Sequence, residues 1–373
     1  MVVQIIGVDI YPLELRYAYG TYVMSGGRAA STQQSTLVRV RTDAGVAGWG
    51  EACPLGATYL EAFAGGVRAA VPLLAQSVLG TDPRELAVVG AAMDAALLGQ
   101  RAAKSAFDVA CWDILGISAG VPVCTLLGGR RGEDFPLYVA IPLGSPDAMA
   151  RFASDQVAAG IAGLQLKLGG DPHEDAARVR AVRDAAGDRV LLVADANGGW
   201  GRHDALAAVR LLADLRDVIV EQPCATLDEC VHIRRLTTLP IGLDESIVDL
   251  RSLTEACGLR AMESINLKIG RVGGLSAART MRDAAAAFGL RVTVEDTWGG
   301  DVVTAAVSHL AASTDPDTLI HASFMNDWVC EHVAGHQPRS SGGRGRAPDG
   351  PGLGIEVDAD ALGMPVATIG EPA

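Results

Sequence analysis

Five residues carry the strongest chemical signal in this chain: Lys167, Asp195, Glu221, Asp244 and Lys268. The carboxylates stand 26 and 23 residues apart, and Lys268 follows Asp244 by another 24. Three like charges gathered at one place repel unless a cation sits among them. Hard oxygen ligands from three separate segments suit a single Mg²⁺ ion, which keeps open positions for substrate oxygens. A lysine on either side of such a metal could take or return a proton next to a metal-held carboxylate. The metal would stabilise the charge that develops, and nearby positive charge draws a lysine toward a usable base. One isolated Asp or Glu at the end of a strand is equally well explained as the cap of the next helix. Three in succession, flanked by lysines, ask for more.

These residues can meet only if each spacing equals one structural repeat. Short apolar runs recur at 137–141 (LYVAI), 164–168 (LQLKL), 190–195 (VLLVAD), 218–221 (VIVE), 240–244 (PIGLD), 265–268 (INLK), 291–296 (RVTVED) and 318–323 (TLIHAS). The gaps hold Ala-rich helical stretches such as HEDAARVRAVRDAA and GLSAARTMRDAAAAFG. Eight strands with crossover helices predict an α/β fold, a modified (β/α)8 TIM-type barrel. Lys167, Asp195 with Asn197, Glu221, Asp244, Lys268 and Asp296 then mark the C-terminal ends of strands two to seven, where such barrels gather their chemistry. A doubly wound open sheet is the alternative. It calls for a Gly-rich phosphate turn after the first strand, and the turn here reads PLGSPD.

The first ~125 residues have a different rhythm. TLVRVRTDAGVAGWGE alternates around Asp43-Ala44-Gly45, a hairpin signal. Residues 17–34 are aromatic and Gly-rich and read as a mobile loop. From Tyr59 to Gly120 the pattern is helical, with Pro83 as a start signal. We therefore expect an α+β N-terminal capping domain over 1–130, the barrel over 131–345, and a C-terminal return to the cap over 346–373. The cap loops at 17–31 and 53–64 should close over the site and exclude water.

Composition narrows the partners. The chain has 373 residues and a net charge of −13. That opposes a nucleic-acid or anionic-membrane partner, which needs a basic face. No run approaches the ~18 apolar residues of a membrane span. The N-terminal stretch lacks a basic region and a cleavage site and reads as a strand. Seven cysteines without a CxxC pair predict reduced thiols and a cytoplasmic location.

The motifs LQLKLG, ADANGGW, EQP, LDES and NLKIGRVGG resemble the muconate-lactonizing-enzyme and mandelate-racemase-like branch of the enolase superfamily, over nearly the whole chain. The resemblance implies that Lys167 and Lys268 are catalytic bases on opposite faces of one α-carbon. It implies that Asp195, Glu221 and Asp244 hold one Mg²⁺, and that the protein forms homo-oligomers. Two departures stand out. The family's strand-two motif is K-x-K, whereas here it is Gln165-Leu166-Lys167. On strand seven, Gly299 stands roughly where many members carry an acidic residue. Together with TYLEAFAGG and DTWGGD, these features resemble a narrower group, the hydroxyproline-betaine epimerases and cis-3-hydroxyproline dehydratases. The substrate implied is a small carboxylate, an amino acid or betaine of the proline type. Epimerisation or racemisation stands slightly ahead, and β-elimination from a hydroxyproline such as cis-3-hydroxy-L-proline is the alternative. A cationic nitrogen beside the carboxylate would favour aromatic faces and a carboxylate. Tyr59, Trp298 and Phe324, with Asp296, are the candidates, and ordinary packing is the competing account of each aromatic. Gln165 and Asn197 complete the substrate-binding set.

Other readings are weaker. A catalytically silent binding barrel would have lost a ligand or a lysine, and none is lost. A metal-dependent hydrolase would place histidines at strand ends, where only His321 lies near. His332 and His336 lack the glutamate of H-E-x-x-H, and Glu51 reads as a structural carboxylate.

Overall fold

The computed structural model describes residues 3–371. Eight parallel strands follow one another in strict chain order: Tyr138–Ile141, Gly163–Lys167, Leu191–Asp195, Val218–Glu221, Ile241–Leu243, Ser264–Lys268, Arg291–Glu295 and Leu319–Ala322. A parallel bridge between Leu137 and Ala322 joins the last strand to the first and closes the barrel. Helices separate the strands, among them Pro172–Ala186, Leu275–Ala287 and Asp301–Ala312. The strand pattern follows from period two. Leu164, Leu166, Leu192, Ala194, Ile265, Leu267, Val292 and Val294 are fully buried and pack outward into the shared hydrophobic core. The alternate positions carry the polar residues Gln165, Lys167, Asp195, Glu221, Asn266, Lys268, Thr293 and Glu295, which face the barrel interior.

Ahead of the barrel lies a four-stranded antiparallel sheet. Its order is Ala367–Gly370, Ile5–Arg16, Thr32–Thr42, Ala47–Ala52. The expected turn at Asp43-Ala44-Gly45 forms, with Gly45 at φ +74°. The C-terminal strand returns to this sheet against Ile5–Arg16. Helices Ala64–Val78, Leu86–Ala96 and Arg101–Ala119 cover one face of it, building a separate apolar cluster around Val38, Leu74 and Phe107. The helix expected to start at Pro83 begins at Leu86 instead. Asp82 accepts from the backbone N–H of Arg84, so a turn occupies the intervening residues. Within the expected loop at 17–34, Tyr22–Val23 pairs with Ala29–Ala30 in a short ladder.

Three buried carboxylates clasp the sheet-and-helix unit to the barrel segments. Glu51 accepts from Ser35 Oγ (2.7 Å) and from the backbone N–H of Gly300 (2.9 Å) and Val303 (3.1 Å), at the start of the helix after strand seven. Asp108 accepts from Ser276, through N–H at 3.0 Å and the hydroxyl at 2.5 Å. Asp113 accepts from the N–H groups of Trp49 and Leu353 at 3.0 and 2.8 Å. Burial raises Glu51 above the usual carboxylate range and pushes Asp108 and Asp113 up to about 6.

Candidate active site

Register builds the site. Lys167 lies opposite Asp195, Asp195 opposite Glu221, and Lys268 opposite Glu295. Asp244 follows directly on the fifth strand. Strands two and six stand across an eight-stranded barrel from one another, so the two lysines face each other over its mouth.

The carboxylates have unequal partners. Lys167 donates to Asp195 in a short ion pair. Asp244 accepts from Lys268 Nζ (2.6 Å), from Tyr59 Oη (2.9 Å) and from the guanidinium of Arg271. Glu221 receives only neutral donors: Gln165 Nε2 at 3.0 Å from each of its oxygens, and Asn266 Nδ2 at 2.8 Å. Asn197 donates to Asp195 and to Glu245, both at 3.0 Å. Asn266 also reaches Glu295, which accepts from Tyr138 and lies 3.6 Å from Lys268.

Crowding of like charge governs the electrostatics. Burial pushes Glu221 well above the usual carboxylate range, and Asp195 and Asp244 add to the shift. Burial, with Asp244 and Asp195, lifts Glu245 to about 7. Burial alone would raise Asp244, but Arg271 and Lys268 outweigh it and hold the group below the ordinary range. Burial likewise draws the lysines down and is overcome. Asp195 keeps Lys167 well above the usual lysine range, and Asp244 with Glu295 raises Lys268. Burial brings Asp296 up to about 7, while its oxygens accept from the N–H groups of Gly270 and Thr297.

A metal fits this donor set. Asp195, Glu221 and Asp244 are hard oxygen ligands on adjacent strands, all 0–1% exposed. Asn197 Oδ1 and Glu245 Oε2, beside them, are buried without a hydrogen-bond partner. Among the described residues no three His, Cys, Asp or Glu side chains are already drawn together as a cage. Asp195 and Asp244 turn instead to the nearest ammonium and guanidinium groups.

Aromatic rings roof the chamber. Tyr22 and Trp298 meet at 5.1 Å between centroids, and Trp298 meets Trp328 at 5.9 Å. Cap and barrel both contribute to this cluster, with Tyr59 and Leu55 from the cap loop beside Tyr138 and Met325. The space left over the lysines is about 20 Å³, roughly one water molecule. A larger cavity of about 610 Å³ adjoins it, and Tyr59, Asp296 and Thr297 line both.

Of the residues expected at the site, Lys167, Lys268, Asp195, Glu221, Asp244, Tyr59, Gln165, Asn197, Asp296 and Trp298 come together. Phe324 does not. Past the eighth strand its ring turns outward, packs edge-on against Phe135 at 5.9 Å and presses on Gly345, where a Cβ would come within 2.8 Å of it. Trp328, from the turn at Met325–Trp328, takes the place expected for it. At Gly299 an added Cβ would lie 2.3 Å from the Val303 side chain, so close packing excludes the side chain seen there in many members. His332 and His336 stack on each other at 4.0 Å and bond to Asp301 and Asp327, away from the lysines. Glu245, Arg271 and Glu295 were not foreseen. Period two from Thr293 points to Glu295, and LDES places Glu245 beside Asp244. Arg271 lies in the short helix Ile269–Val272 and is the arginine of the motif NLKIGRVGG, which carries the resemblance but gives that arginine no role.

Comparison with known proteins agrees with this arrangement. Residues 20–128 match the mandelate racemase / muconate lactonizing enzyme N-terminal domain, and residues 148–361 match the enolase C-terminal domain-like family. The chain belongs to the mandelate racemase and muconate-lactonizing-enzyme branch of the enolase superfamily, and it is an enzyme. It is 43% identical to cis-3-hydroxy-L-proline dehydratase of Roseibium aggregatum, over 98% of this chain and 99% of that one. It is 28% identical to N-succinyl-L-Arg/Lys racemase of Bacillus cereus, over 96% and 97%. A member of the enolase superfamily from Roseovarius nubinhibens, crystallised with magnesium, superposes with a TM-score of 0.92 at 36% identity, covering 99% of this chain and all of that one.

Proposed function

We propose that this enzyme removes the α-proton of a proline-type amino acid, and that its principal outcome is dehydration of a 3-hydroxyproline. One observation carries the first part: two lysines from opposed strands converge on a chamber walled by Asp195, Glu221 and Asp244. Those three carboxylates would hold Mg²⁺, which supplies positive charge against the substrate carboxylate as the α-carbon loses its proton. Asp195 and Asp244 hold the lysine protons here, and as metal ligands they would hold them less tightly, which would leave one lysine available as base. In cis-3-hydroxy-L-proline the hydroxyl and the α-hydrogen lie on opposite ring faces. One lysine takes the α-proton, the C–H electron pair becomes the new C=C bond, and the C–O bond breaks. The facing lysine, as ammonium, protonates the departing oxygen and water leaves. Similarity to the Roseibium dehydratase at 43% supports this outcome over the epimerisation that the sequence alone places slightly ahead. Epimerisation stays as the second reading, because the same facing lysines can return a proton to the opposite face.

Since the chamber holds about one water, the cap loops must draw back to admit substrate. Among the described residues no helix is long and apolar enough to cross a membrane. All seven cysteines are free thiols, five of them buried, which supports a cytoplasmic setting.

The test is proton NMR in D₂O with Mg²⁺ and a panel of proline, hydroxyproline and betaine derivatives. Loss of the ring CH–OH signal from cis-3-hydroxy-L-proline is expected. Exchange of the α-proton with an intact ring would establish epimerisation instead. Silence across the panel with Mg²⁺ bound would discard the proline class.

A further inference from the structure

Three turns at the barrel mouth meet at a buried carboxylate that the chemistry above does not use. Asp175, in the helix Pro172–Ala186, is 1% exposed. Its Oδ2 accepts from the N–H groups of Gly169 (3.0 Å) and Gly170 (2.9 Å) and from Trp200 Nε1 (2.9 Å). Its Oδ1 accepts from Arg178 (2.7 Å), whose Nε donates to the Gly144 carbonyl (2.8 Å). The helix does not need Asp175 as a cap, because Asp171 already accepts from the N–H groups of His173 and Glu174. Asp175 and Arg178 instead tie the turn after the first strand (Gly144) to the turns after the second (Gly169, Gly170) and the third (Trp200). Lys167 ends the second strand two residues before Gly169, and Asp195 ends the third.

The cap loop at 17–31 lands on these same three turns. Leu143, beside Gly144, donates its N–H to the Val23 carbonyl (2.9 Å). Gly169 packs against Ser25 at φ +99°, and a Cβ there would stand 2.7 Å from the Ser25 side chain. Arg28 holds Ser25 by its carbonyl (3.0 Å) and hydroxyl (2.6 Å) and reaches the Asn197 carbonyl (3.4 Å) in the third turn. Docked this way, the loop contributes Tyr22 and Met24 to the lining of the chamber that holds Lys167.

We infer that Asp175 and Arg178 are positioning residues: they hold three turns as one platform on which the cap loop 17–31 closes over the Lys167 side of the site. Neither residue lines the chamber. This role rests on the α-proton chemistry proposed above, which needs the loop closed to keep water out. Without Asp175 the N–H groups of Gly169, Gly170 and Trp200 lose their acceptor, and the turns must shift to find another. Without the Arg178 guanidinium the first turn comes free of the other two.

The experiment compares wild type, Arg178→Met and Asp175→Asn at saturating Mg²⁺. Backbone amide exchange in D₂O is followed by mass spectrometry, and turnover of cis-3-hydroxy-L-proline by NMR. Arg178→Met is the milder change, because Asp175 keeps its three other donors, and it decides alone if Asp175→Asn does not fold. Exchange over 17–31 should quicken ~10-fold in Arg178→Met and further in Asp175→Asn, the scale of one or more lost hydrogen bonds. The cap helices Ala64–Val78 and Arg101–Ala119 should keep the wild-type rate. Turnover should fall ~10-fold or more in both variants, because the loop no longer seals the site. Faster exchange spread evenly through the cap would mark a general loss of stability and overturn the inference. So would a wild-type exchange rate over 17–31 in folded Arg178→Met, or a loosened loop with turnover unchanged. If wild type turns over no proline derivative, the function proposed above fails, and the exchange rates still show whether the platform holds the loop.

Discussion

Two sets of buried carboxylates in this molecule behave in opposite ways. At the junction of cap and barrel, Glu51, Asp108 and Asp113 are 4–8% exposed, and each accepts from backbone N–H or hydroxyl groups of a distant segment. In the chamber, Asp195, Glu221 and Asp244 are buried as deeply but face one another and a pair of lysines. Burial is therefore not what separates a structural carboxylate from a reactive one, nor are neutral donors, which Glu221 also receives; the crowding of like charge does. Glu51, Asp108 and Asp113, each outside such crowding and answered by fixed neutral donors, join two pieces of chain. Carboxylates crowded together are held at a cost to stability, which is reasonable only where a cation belongs.

The contrast can be broken most directly at the lysines. Lys167→Ala and Lys268→Ala should each lower turnover by ~10³-fold or more, and one of them should still exchange the α-proton of a single enantiomer in D₂O. Wild-type rates in both would end the two-base reading. Next comes Glu221→Gln. It should weaken Mg²⁺ binding on the order of 100-fold by calorimetry, yet raise the metal-free melting temperature by a few degrees, because one member of a repelling trio is gone. Glu51→Ala should do the reverse, losing about 2–3 kcal/mol in urea unfolding by leaving two backbone donors unanswered, with Mg²⁺ affinity unchanged. A stable Glu51→Ala that no longer binds Mg²⁺ would erase the distinction between the two sets.

An effect of similar size is expected in pH. Burial gives Asp108 a folded pKa of about 6, against ~3.9 for an ordinary Asp. Over that interval the folded state binds the extra proton, so stability falls as pH rises from 4 to 6 and the loss is complete above. The stability of wild type relative to Asp108→Asn should therefore decline across this window by up to about 3 kcal/mol, measured as paired denaturant midpoints. A flat difference would mean that Asp108 is ionised at no cost.

The strand positions and six of the chamber's charged residues are legible because a parallel barrel repeats with the chain, and a hydrophobic run interrupted by one charge marks each strand end. Side-chain direction was less legible. The pattern points to Asp296 as the end of strand seven, whereas parity within RVTVE sends Glu295 inward and leaves Asp296 on the following turn, still at the chamber. Phe324 was misplaced for the same reason. Beyond the last hydrogen-bonded residue, period two no longer dictates direction, and Phe324 joins Phe135 while Trp328 reaches inward. Arg271 stands in the motif NLKIGRVGG without an evident role, because an arginine in a short helix becomes a chamber residue only through the fold that buries it beside Asp244.

The antiparallel sheet draws its members from widely separated segments of the chain. Ile5–Arg16 lies between Thr32–Thr42 and Ala367–Gly370. On a ribosome, one edge of that early strand stays unpaired until Ala367–Gly370 has been made. Its exposed amides and carbonyls are a template for any passing extended segment during that time. Chaperone demand in vivo should then track the synthesis of Ala367–Gly370, and removing that strand should show itself first as aggregation of newly made protein.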